Sequence, residues 1–281
     1  MPKVWEVYNK AIEEGKGHNV LSNDIRTLIS HIQGYAEPID TLLYRDDDFK
    51  NLPLFKEHFA RLLKEEPVEY IINEAKFLGR PFYVDRRVLI PRLETEQLVS
   101  KISEKVSEYF DPRNYLVVAD IGTGSGCIAI TLKTMFKNWL LTASDISKDA
   151  LEVAKINSER YGGGVRFLEG SSLEPYIENR MNLDIIVSNP PYILNKDEVQ
   201  VSVKDYEPES ALYLDKAKSV YEEIFRDYKK VKKGSLLMCF EIGYDLEEYL
   251  TDLMKKYLED YEFEFIKDLD DRTRFLFVYL N

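Results

Sequence analysis

Four consecutive residues, Asn189-Pro190-Pro191-Tyr192, combine hydrogen-bond acceptors with an aromatic ring. Because Pro190 and Pro191 have no N–H group, the local backbone offers mainly carbonyl oxygens, and the side chain of Asn189 adds another acceptor. The ring of Tyr192 supplies a flat face. Two converging acceptors and a stacking face suit a planar group that carries an NH2. The alternative is that the tetrapeptide only forms a turn, since Asn and Pro are common turn residues.

A second candidate site is the glycine-rich segment Asp120-Ile121-Gly122-Thr123-Gly124-Ser125-Gly126. Glycines at alternate positions let the backbone pass close beneath a ligand. Asp145 follows at the end of the next predicted strand, where a carboxylate can accept hydrogen bonds from both hydroxyls of a ribose. The combination predicts a nucleoside cofactor. A nicotinamide dinucleotide would share these features, but its G-x-G-x-x-G fingerprint places the third glycine one residue later.

Predicted strands must position both segments. The run 183–188 leads into Asn189, and its residues Ile185 to Val187 do not alternate with polar ones, which is typical of a parallel strand covered on both faces. Further strands are predicted at 115–121, 140–144, 165–169 and 235–241, and helices at 147–161, 219–231 and 245–257 and from residue 125. This alternation predicts a doubly wound, mostly parallel, seven-stranded α/β sheet. The closing pair, 263–268 and 275–280, has too short a connection for a crossover helix, so the last strand should be antiparallel.

The chain before this sheet has a different pattern. Residues 1–72 carry apolar side chains at helical spacing and predict a small helical bundle. Because the cofactor motifs all lie beyond residue 119, we expect this bundle to serve in substrate recognition. Residues 73–92 contain two short β-prone pieces, 76–78 and 82–84, around Gly79-Arg80-Pro81, and predict a β-hairpin linker. Residues 93–281 form the cofactor-binding domain, which begins with a helix from about Glu94 to Tyr109.

Composition narrows the class of protein. The net charge of −12 argues against a broad electrostatic footprint for nucleic acid, so no direct nucleic-acid binding is expected. The two cysteines, Cys127 and Cys239, resemble neither a disulfide framework nor a metal site. No segment is apolar enough for a membrane span or a signal core, and we expect a cytoplasmic protein without a membrane partner. All three histidines precede residue 59, which disfavours Ser/His triads and His-ligated zinc in the later domain.

Taken together, the G-x-G-x-G segment, the tetrapeptide after the fourth strand and the antiparallel last strand resemble the class I S-adenosylmethionine-dependent methyltransferases. An Asn-Pro-Pro-Tyr sequence at that position is typical of enzymes that methylate a nitrogen conjugated to a planar system. From about residue 65 to the C-terminus, the chain is similar to the release-factor glutamine methyltransferase family. The segments that carry this resemblance are Glu66-Pro67-Val68-Glu69-Tyr70-Ile71, Val88-Leu89-Ile90-Pro91-Arg92-Leu93-Glu94-Thr95-Glu96, Asp120 through Ile130, Asn189 through Tyr192, Glu207-Pro208 and Glu241-Ile242-Gly243.

The resemblance implies methyl transfer from S-adenosyl-L-methionine to the side-chain nitrogen N5 of the glutamine in the GGQ motif of a peptide chain release factor, with S-adenosyl-L-homocysteine as product. It implies no metal, and a monomer is expected. The cofactor-binding residues it implies are Asp120, Gly122, Thr123, Gly124, Ser125, Gly126, Asp145, Ser171, Ser172 and Asn189. Substrate binding falls to Asn189, Pro190, Pro191 and Tyr192, of which Asn189, Pro190 and Tyr192 are the expected catalytic residues.

The chain departs from the family pattern at two places. Leu93 stands where the family usually has Pro. Ser171 and Ser172 follow the third strand, where the family usually has an acid and an aromatic residue beside the adenine. A hydroxyl can still form a hydrogen bond there, but the stacking face is lost, which should weaken cofactor binding by ~1–2 kcal/mol.

Three other functions remain open from the residues alone. A glutamine methyltransferase could act on a ribosomal protein instead. A DNA adenine or cytosine amino-methyltransferase would need base flipping and a recognition domain, which the acidic charge disfavours. A regulatory module could bind the cofactor and transfer nothing, although the intact Asn-Pro-Pro-Tyr sequence disfavours that.

Overall fold

The computed structural model describes residues 1–111, 114–194, 201–215 and 219–281. Its helices are α1 (Val4–Glu14), α2 (Ser22–Gln33), α3 (Asp40–Leu43), α4 (Leu52–Leu62), α5 (Val68–Ile72), α6 (Leu93–Tyr109), α7 (Cys127–Met135), α8 (Lys148–Arg160), α9 (Glu174–Glu178), α10 (Val201–Tyr206), α11 (Val220–Asp227) and α12 (Glu247–Tyr257). Its strands are β1 (Ala75–Phe77), β2 (Arg80–Phe82), β3 (Val117–Ile121), β4 (Leu140–Asp145), β5 (Val165–Glu169), β6 (Leu183–Ser188), β7 (Lys232–Glu241), β8 (Tyr261–Lys267) and β9 (Thr273–Leu280).

The described residues divide into two compact units. The first consists of residues 1–74 together with 201–207, and the second of residues 75–194 and the described residues from 208 onwards. The first unit is helical, with α1 to α5 and α10. Helices α1, α2, α4 and α5 bury a common apolar cluster that includes Val4, Leu28, Phe55 and Phe59, as the helical spacing of residues 1–72 predicts.

The second unit is built on a seven-stranded sheet with the order β5-β4-β3-β6-β7-β9-β8. Strands β3 to β7 pair in parallel, whereas β9 lies antiparallel to both of its neighbours. The predicted mostly parallel sheet with an antiparallel last strand is therefore confirmed. Because the chain runs outward from β3 through β4 to β5 and then returns to β6 on the other side of β3, the order reverses at β3, which is where such sheets bind ligands.

Apolar side chains cover both faces of this sheet. In β7, Leu236, Met238 and Phe240 belong to the cluster on one face, and Leu237 and Cys239 to the cluster on the other. Successive side chains of a strand point to opposite faces, so an unbroken apolar run is needed where both faces are covered. The central strands therefore cannot slip by one residue without exposing part of this core, and their carboxyl ends are held in register.

Strands β5 and β6 have the predicted bounds, and most of the other elements agree to within two or three residues. The predicted hairpin is confirmed, but the position of its second strand was wrong by two residues, since that strand runs from Arg80 rather than from Phe82. The reason is a two-residue turn at Leu78 and Gly79, both of which have positive φ. Helix α7 begins at Cys127 rather than at Ser125 because Gly126, at φ 81°, is not helical.

Candidate active site

A cavity of about 390 Å3 opens in the second unit at the carboxyl ends of β3, β4 and β6. This volume lies in the range of ~300–1,000 Å3 that is usual for small-molecule sites. Ten of the residues predicted from the sequence line it: Gly122, Thr123, Gly124, Ser125, Asp145, Ser171, Ser172, Asn189, Pro190 and Pro191. The structure thus brings together segments that lie on four separate loops. Asp120, Gly126 and Tyr192 are not among the lining residues.

The glycine loop has the shape that a closely approaching ligand requires. Gly122 and Gly124 adopt φ values of 72° and 55°, and a Cβ added at either would meet no described atom within 4 Å, so both face open space. Gly126 has a different role. A Cβ there would lie 2.8 Å from Ile130 Cδ1 and 3.2 Å from Ala154 Cβ, so this glycine lets α7 and α8 pack closely.

Asp120 supports the loop from inside the protein. Its Oδ2 accepts hydrogen bonds from Thr123 Oγ1 at 2.6 Å and from the Ala129 N–H at 3.2 Å, so one carboxylate holds both the loop and the first turns of α7. The side chain is fully buried. Burial raises the pKa of Asp120 to about 7, and the nearby charge of Asp145 adds to this effect. The predicted role of Asp120 in direct cofactor contact stays a prediction, and its observed contacts are those of a support.

Asp145 ends β4 at the cavity wall. Its Oδ2 accepts from the Gly124 N–H and its Oδ1 from the Ser147 N–H, each at 2.9 Å. A carboxylate can accept about four hydrogen bonds, so capacity for two ribose hydroxyls remains. Burial raises the pKa of Asp145, while the backbone N–H groups of Ser147, Gly124 and Ile146 act in the opposite direction. These two acceptors fit the hydroxyls of a ribose, since each oxygen is already oriented by a backbone N–H group.

After β5, Ser171 and Ser172 reach the cavity together with a residue that the sequence did not single out. Ser171 Oγ donates to Oε2 of Glu223 at 3.4 Å, and Glu223, on α11, also lines the cavity. Ser172 has a φ of 49° and is 6% exposed, and its Oγ has no hydrogen-bond partner among the described residues. A buried hydroxyl without a partner costs free energy, which makes Ser172 a candidate for contact with a ligand.

The side chain of Asn189 is held by a directed chain of hydrogen bonds. Its Nδ2 donates to Thr95 Oγ1 at 3.2 Å, and Thr95 Oγ1 donates to Glu241 Oε2 at 2.7 Å. Because the Thr95 hydroxyl donates its single proton to Glu241, it can only accept from Asn189. The Nδ2 end of the amide is thereby fixed towards Thr95. The acceptor oxygen Oδ1 points the other way.

Glu241 also anchors the predicted Tyr192. The Tyr192 hydroxyl donates to Glu241 Oε1 at 3.1 Å, and the guanidinium of Arg274 lies 5.7 Å from the centre of the Tyr192 ring. Glu241 is fully buried, and burial raises its pKa to about 7, against the opposite effects of Thr95, Tyr192 and Arg274. Each carboxylate oxygen therefore holds one residue of the site in place.

Sequence reasoning missed Thr95, Glu241, Glu223 and Arg87 as site residues, although Thr95, Glu223 and Arg87 line the cavity. Thr95 and Glu241 stand in two of the segments that carry the family resemblance, which was the available signal. For Glu223, the available signal was that this chain has Ser171 and Ser172 after β5, where the family usually has an acid. Arg87 is paired with Asp85 at 2.7 Å, and no sequence pattern pointed to it.

Comparisons with known proteins show the family and the fold. The Methyltransferase small domain family matches residues 95–216, which include the glycine loop and the Asn-Pro-Pro-Tyr segment. The structure of the N-terminal domain of human METTL16 in complex with SAH aligns with a TM-score of 0.50 at 15% identity, covering 80% of this chain and 83% of that one, which shows a shared fold. The fold, the glycine loop and the family match define an S-adenosylmethionine-dependent methyltransferase.

Curated relatives narrow the class further. The release factor glutamine methyltransferase of Bacillus subtilis (strain 168) is 40% identical over 224 residues, covering 78% of this chain and 77% of that protein. The release factor glutamine methyltransferase of Staphylococcus aureus (strain NCTC 8325 / PS 47) is 35% identical over 240 residues, covering 84% of each. The chain belongs to the release factor glutamine methyltransferase family.

Within the described residues, no helix is both long and apolar enough to cross a membrane. The two cysteines are free and buried.

Proposed function

We propose that this enzyme transfers a methyl group from S-adenosyl-L-methionine to the side-chain nitrogen N5 of a glutamine in a peptide chain release factor. The observation that carries the proposal is the orientation of Asn189, whose Nδ2 is bonded to Thr95, so that Oδ1 serves as an acceptor beside the cavity. A primary amide has two N–H donors, and an acceptor fixed in this way suits one of them. The family membership supports the same substrate.

The residues of the cavity fit the cofactor. The backbone at Gly122 and Gly124 leaves room for close approach, and Asp145 offers oriented oxygens to the ribose. S-adenosylmethionine, when bound, supplies an electrophilic methyl group on a sulfonium. Thr123 and Ser125 complete the loop, and Asp120 and Gly126 support it from behind.

The substrate amide is a poor nucleophile because its lone pair is delocalised, so the enzyme must contribute mainly by orientation. Asn189 Oδ1 and the Pro190 carbonyl each accept one N–H of the glutamine, which turns the π face of its nitrogen towards the methyl group. The same two oxygens stabilise the positive charge that develops on that nitrogen. After transfer, the excess proton leaves to water. Tyr192, which follows these acceptors in the chain, is anchored by its hydroxyl to Glu241.

The remaining parts of the proposal concern substrate and setting. Residues 1–72 recognise the release factor, residues 73–92 form the linker, and residues 93–281 bind the cofactor and carry out the transfer. The enzyme acts in the cytoplasm as a monomer, without direct nucleic-acid binding. Its net charge of −12 and its two buried free thiols support this setting.

Methylation assays can test the proposal directly. The enzyme is incubated with labelled S-adenosylmethionine and a purified release factor, a ribosomal protein fraction or duplex DNA, and the product is located by mass analysis. We expect label on a glutamine side chain of the release factor. Label on DNA or on a ribosomal protein alone would overturn the proposal.

The variant Asn189→Ala sharpens this test. Loss of one transition-state contact should lower kcat/KM by ~100-fold or more, with cofactor affinity largely kept. Asn189→Asp should also be strongly impaired, since it adds a negative charge in place of the Nδ2 donor that Thr95 accepts. If Asn189 only shapes a turn, Asn189→Asp should be nearly silent. Near wild-type methylation by folded Asn189→Ala would remove Asn189 from the mechanism.

A further inference from the structure

Helix α11 brings one carboxylate to the cavity, opposite the loop that follows β5. Val220 and Glu223, one turn of the helix apart, both line the cavity, and Oε2 of Glu223 lies 3.4 Å from Ser171 Oγ. The neighbouring Glu222 faces elsewhere, since its Oε1 accepts from Tyr257 Oη at 2.6 Å and from Lys256 Nζ at 3.1 Å. Two adjacent acids on one helix therefore have separate environments, and only one of them reaches the cavity.

The loop after β5 provides a second observation. Ser172 is 6% exposed, lines the cavity and has a hydroxyl without a hydrogen-bond partner among the described residues. Its φ of 49° holds it in a left-handed conformation that non-glycine residues rarely adopt. A buried, unpaired hydroxyl in a strained turn at a cavity wall indicates a partner that arrives with a ligand.

We propose that Glu223, on α11, recognises the exocyclic amino group of the cofactor's adenine, with Ser171 and Ser172 supplying hydroxyls beside it. This inference rests on the proposed function, because it assumes that the cavity holds the cofactor's nucleoside. It assigns the acidic contact to a helix later in the chain, rather than to the loop after β5, where this chain has serines.

The chemistry favours an amino group at this position. A carboxylate only accepts hydrogen bonds, so it pairs well with an NH2 and repels a carbonyl oxygen. The side chain of Ser171, bonded to Glu223, limits the positions that the carboxylate can take. Ser172 can donate to or accept from the ring, since a hydroxyl does both. The site should therefore prefer adenine to hypoxanthine, which carries a carbonyl oxygen in place of the amino group.

Calorimetry with two ligands tests this preference. S-inosylhomocysteine differs from S-adenosylhomocysteine in two linked features of the purine ring: a carbonyl oxygen replaces the amino group, and the adjacent ring nitrogen N1 carries a proton. We expect the wild-type enzyme to bind the adenine compound ~30-fold more tightly or better, on the scale of a hydrogen bond to a charged group. In Glu223→Gln the preference should fall to about threefold or less, because the amide of Gln can turn and donate to the carbonyl oxygen.

Two further variants act as control and rescue. Glu222→Gln changes the adjacent acid on the same helix and should leave the preference as in the wild type. Ser171→Asp, placed in a Glu223→Ala background, should restore the preference lost in Glu223→Ala, because it returns a carboxylate to the cavity from the neighbouring loop. A merely structural role for Glu223 would not produce this rescue.

The outcomes are separable from those of the methylation assay. An unchanged adenine preference in both Glu223→Gln and Glu223→Ala, in protein that binds S-adenosylhomocysteine and methylates a release factor, overturns the inference and leaves the proposed function standing. Failure of the wild-type enzyme to bind either compound would overturn both the inference and the proposed function.

Discussion

Replacing Asp120 by Asn separates loop support from cofactor contact. The Asn side chain keeps the size of Asp and can still accept from Thr123 Oγ1 and the Ala129 N–H, the two donors that Asp120 holds. The substitution also removes the negative charge of Asp120, and that charge is costly to the folded state because the side chain is fully buried. We therefore expect a variant whose stability depends on pH differently from that of the wild type.

The size of the effect follows from the pKa of Asp120. Burial raises that pKa from 3.8 to about 7, so the folded protein holds a proton at this site over a range in which the unfolded chain has lost it. The stabilisation that this bound proton provides is fully present below the pKa that Asp120 has in the unfolded chain. It is lost as the pH rises through the pKa that Asp120 has in the folded protein. Between about pH 5 and pH 8, the wild type should lose ~2–3 kcal/mol that Asp120→Asn does not lose.

Urea unfolding at several pH values measures this difference. Glu241 and Asp145 also have raised pKa values, so the comparison uses the free energy of unfolding of Asp120→Asn minus that of the wild type, in which their contributions largely cancel. This difference should increase with pH. A difference that stays constant from about pH 5 to pH 8 would refute the assignment of a buried, proton-binding Asp120. A loss of S-adenosylmethionine affinity greater than ~10-fold in Asp120→Asn would refute the supporting role and favour direct contact.

Two further changes test the cavity wall. Asp145→Ala should weaken cofactor binding by ~1.5–3 kcal/mol, the usual loss for charge-assisted hydrogen bonds, and unchanged affinity by calorimetry would remove Asp145 from the ribose site. Thr95→Val removes both hydrogen bonds of its hydroxyl, so the Asn189 amide can present either end to the substrate. We expect kcat to fall by ~2–10-fold and the free energy of unfolding by ~1–3 kcal/mol, because buried Glu241 loses a donor. Thr95→Ser keeps the hydroxyl and should therefore have kcat and a free energy of unfolding close to those of the wild type. A fully active Thr95→Val would show that the Asn189 amide is oriented by other contacts.

The sequence by itself determined the local features of this protein. Unbroken β-branched runs such as Ile185 to Val187 indicated strands covered on both faces, since a strand with one wet face would alternate. The short connection before β9 required an antiparallel last strand. Glycine spacing at Gly122 and Gly124 indicated the cofactor loop, because positive φ is readily available to glycine. Each of these depends on neighbours within a few residues.

Tertiary structure alone decided which distant residues share the site. Glu241 lies 146 positions from Thr95, and Glu223 lies 52 positions from Ser171, so no local pattern relates the members of either pair. Their meeting depends on strand order and on the packing of helices against the sheet. The same packing buries Asp120 behind the loop while Asp145, at the end of the next strand, reaches the cavity. Two acids that look alike in the sequence thus have different roles, because the burial of each side chain is fixed only when the sheet and its helices pack together.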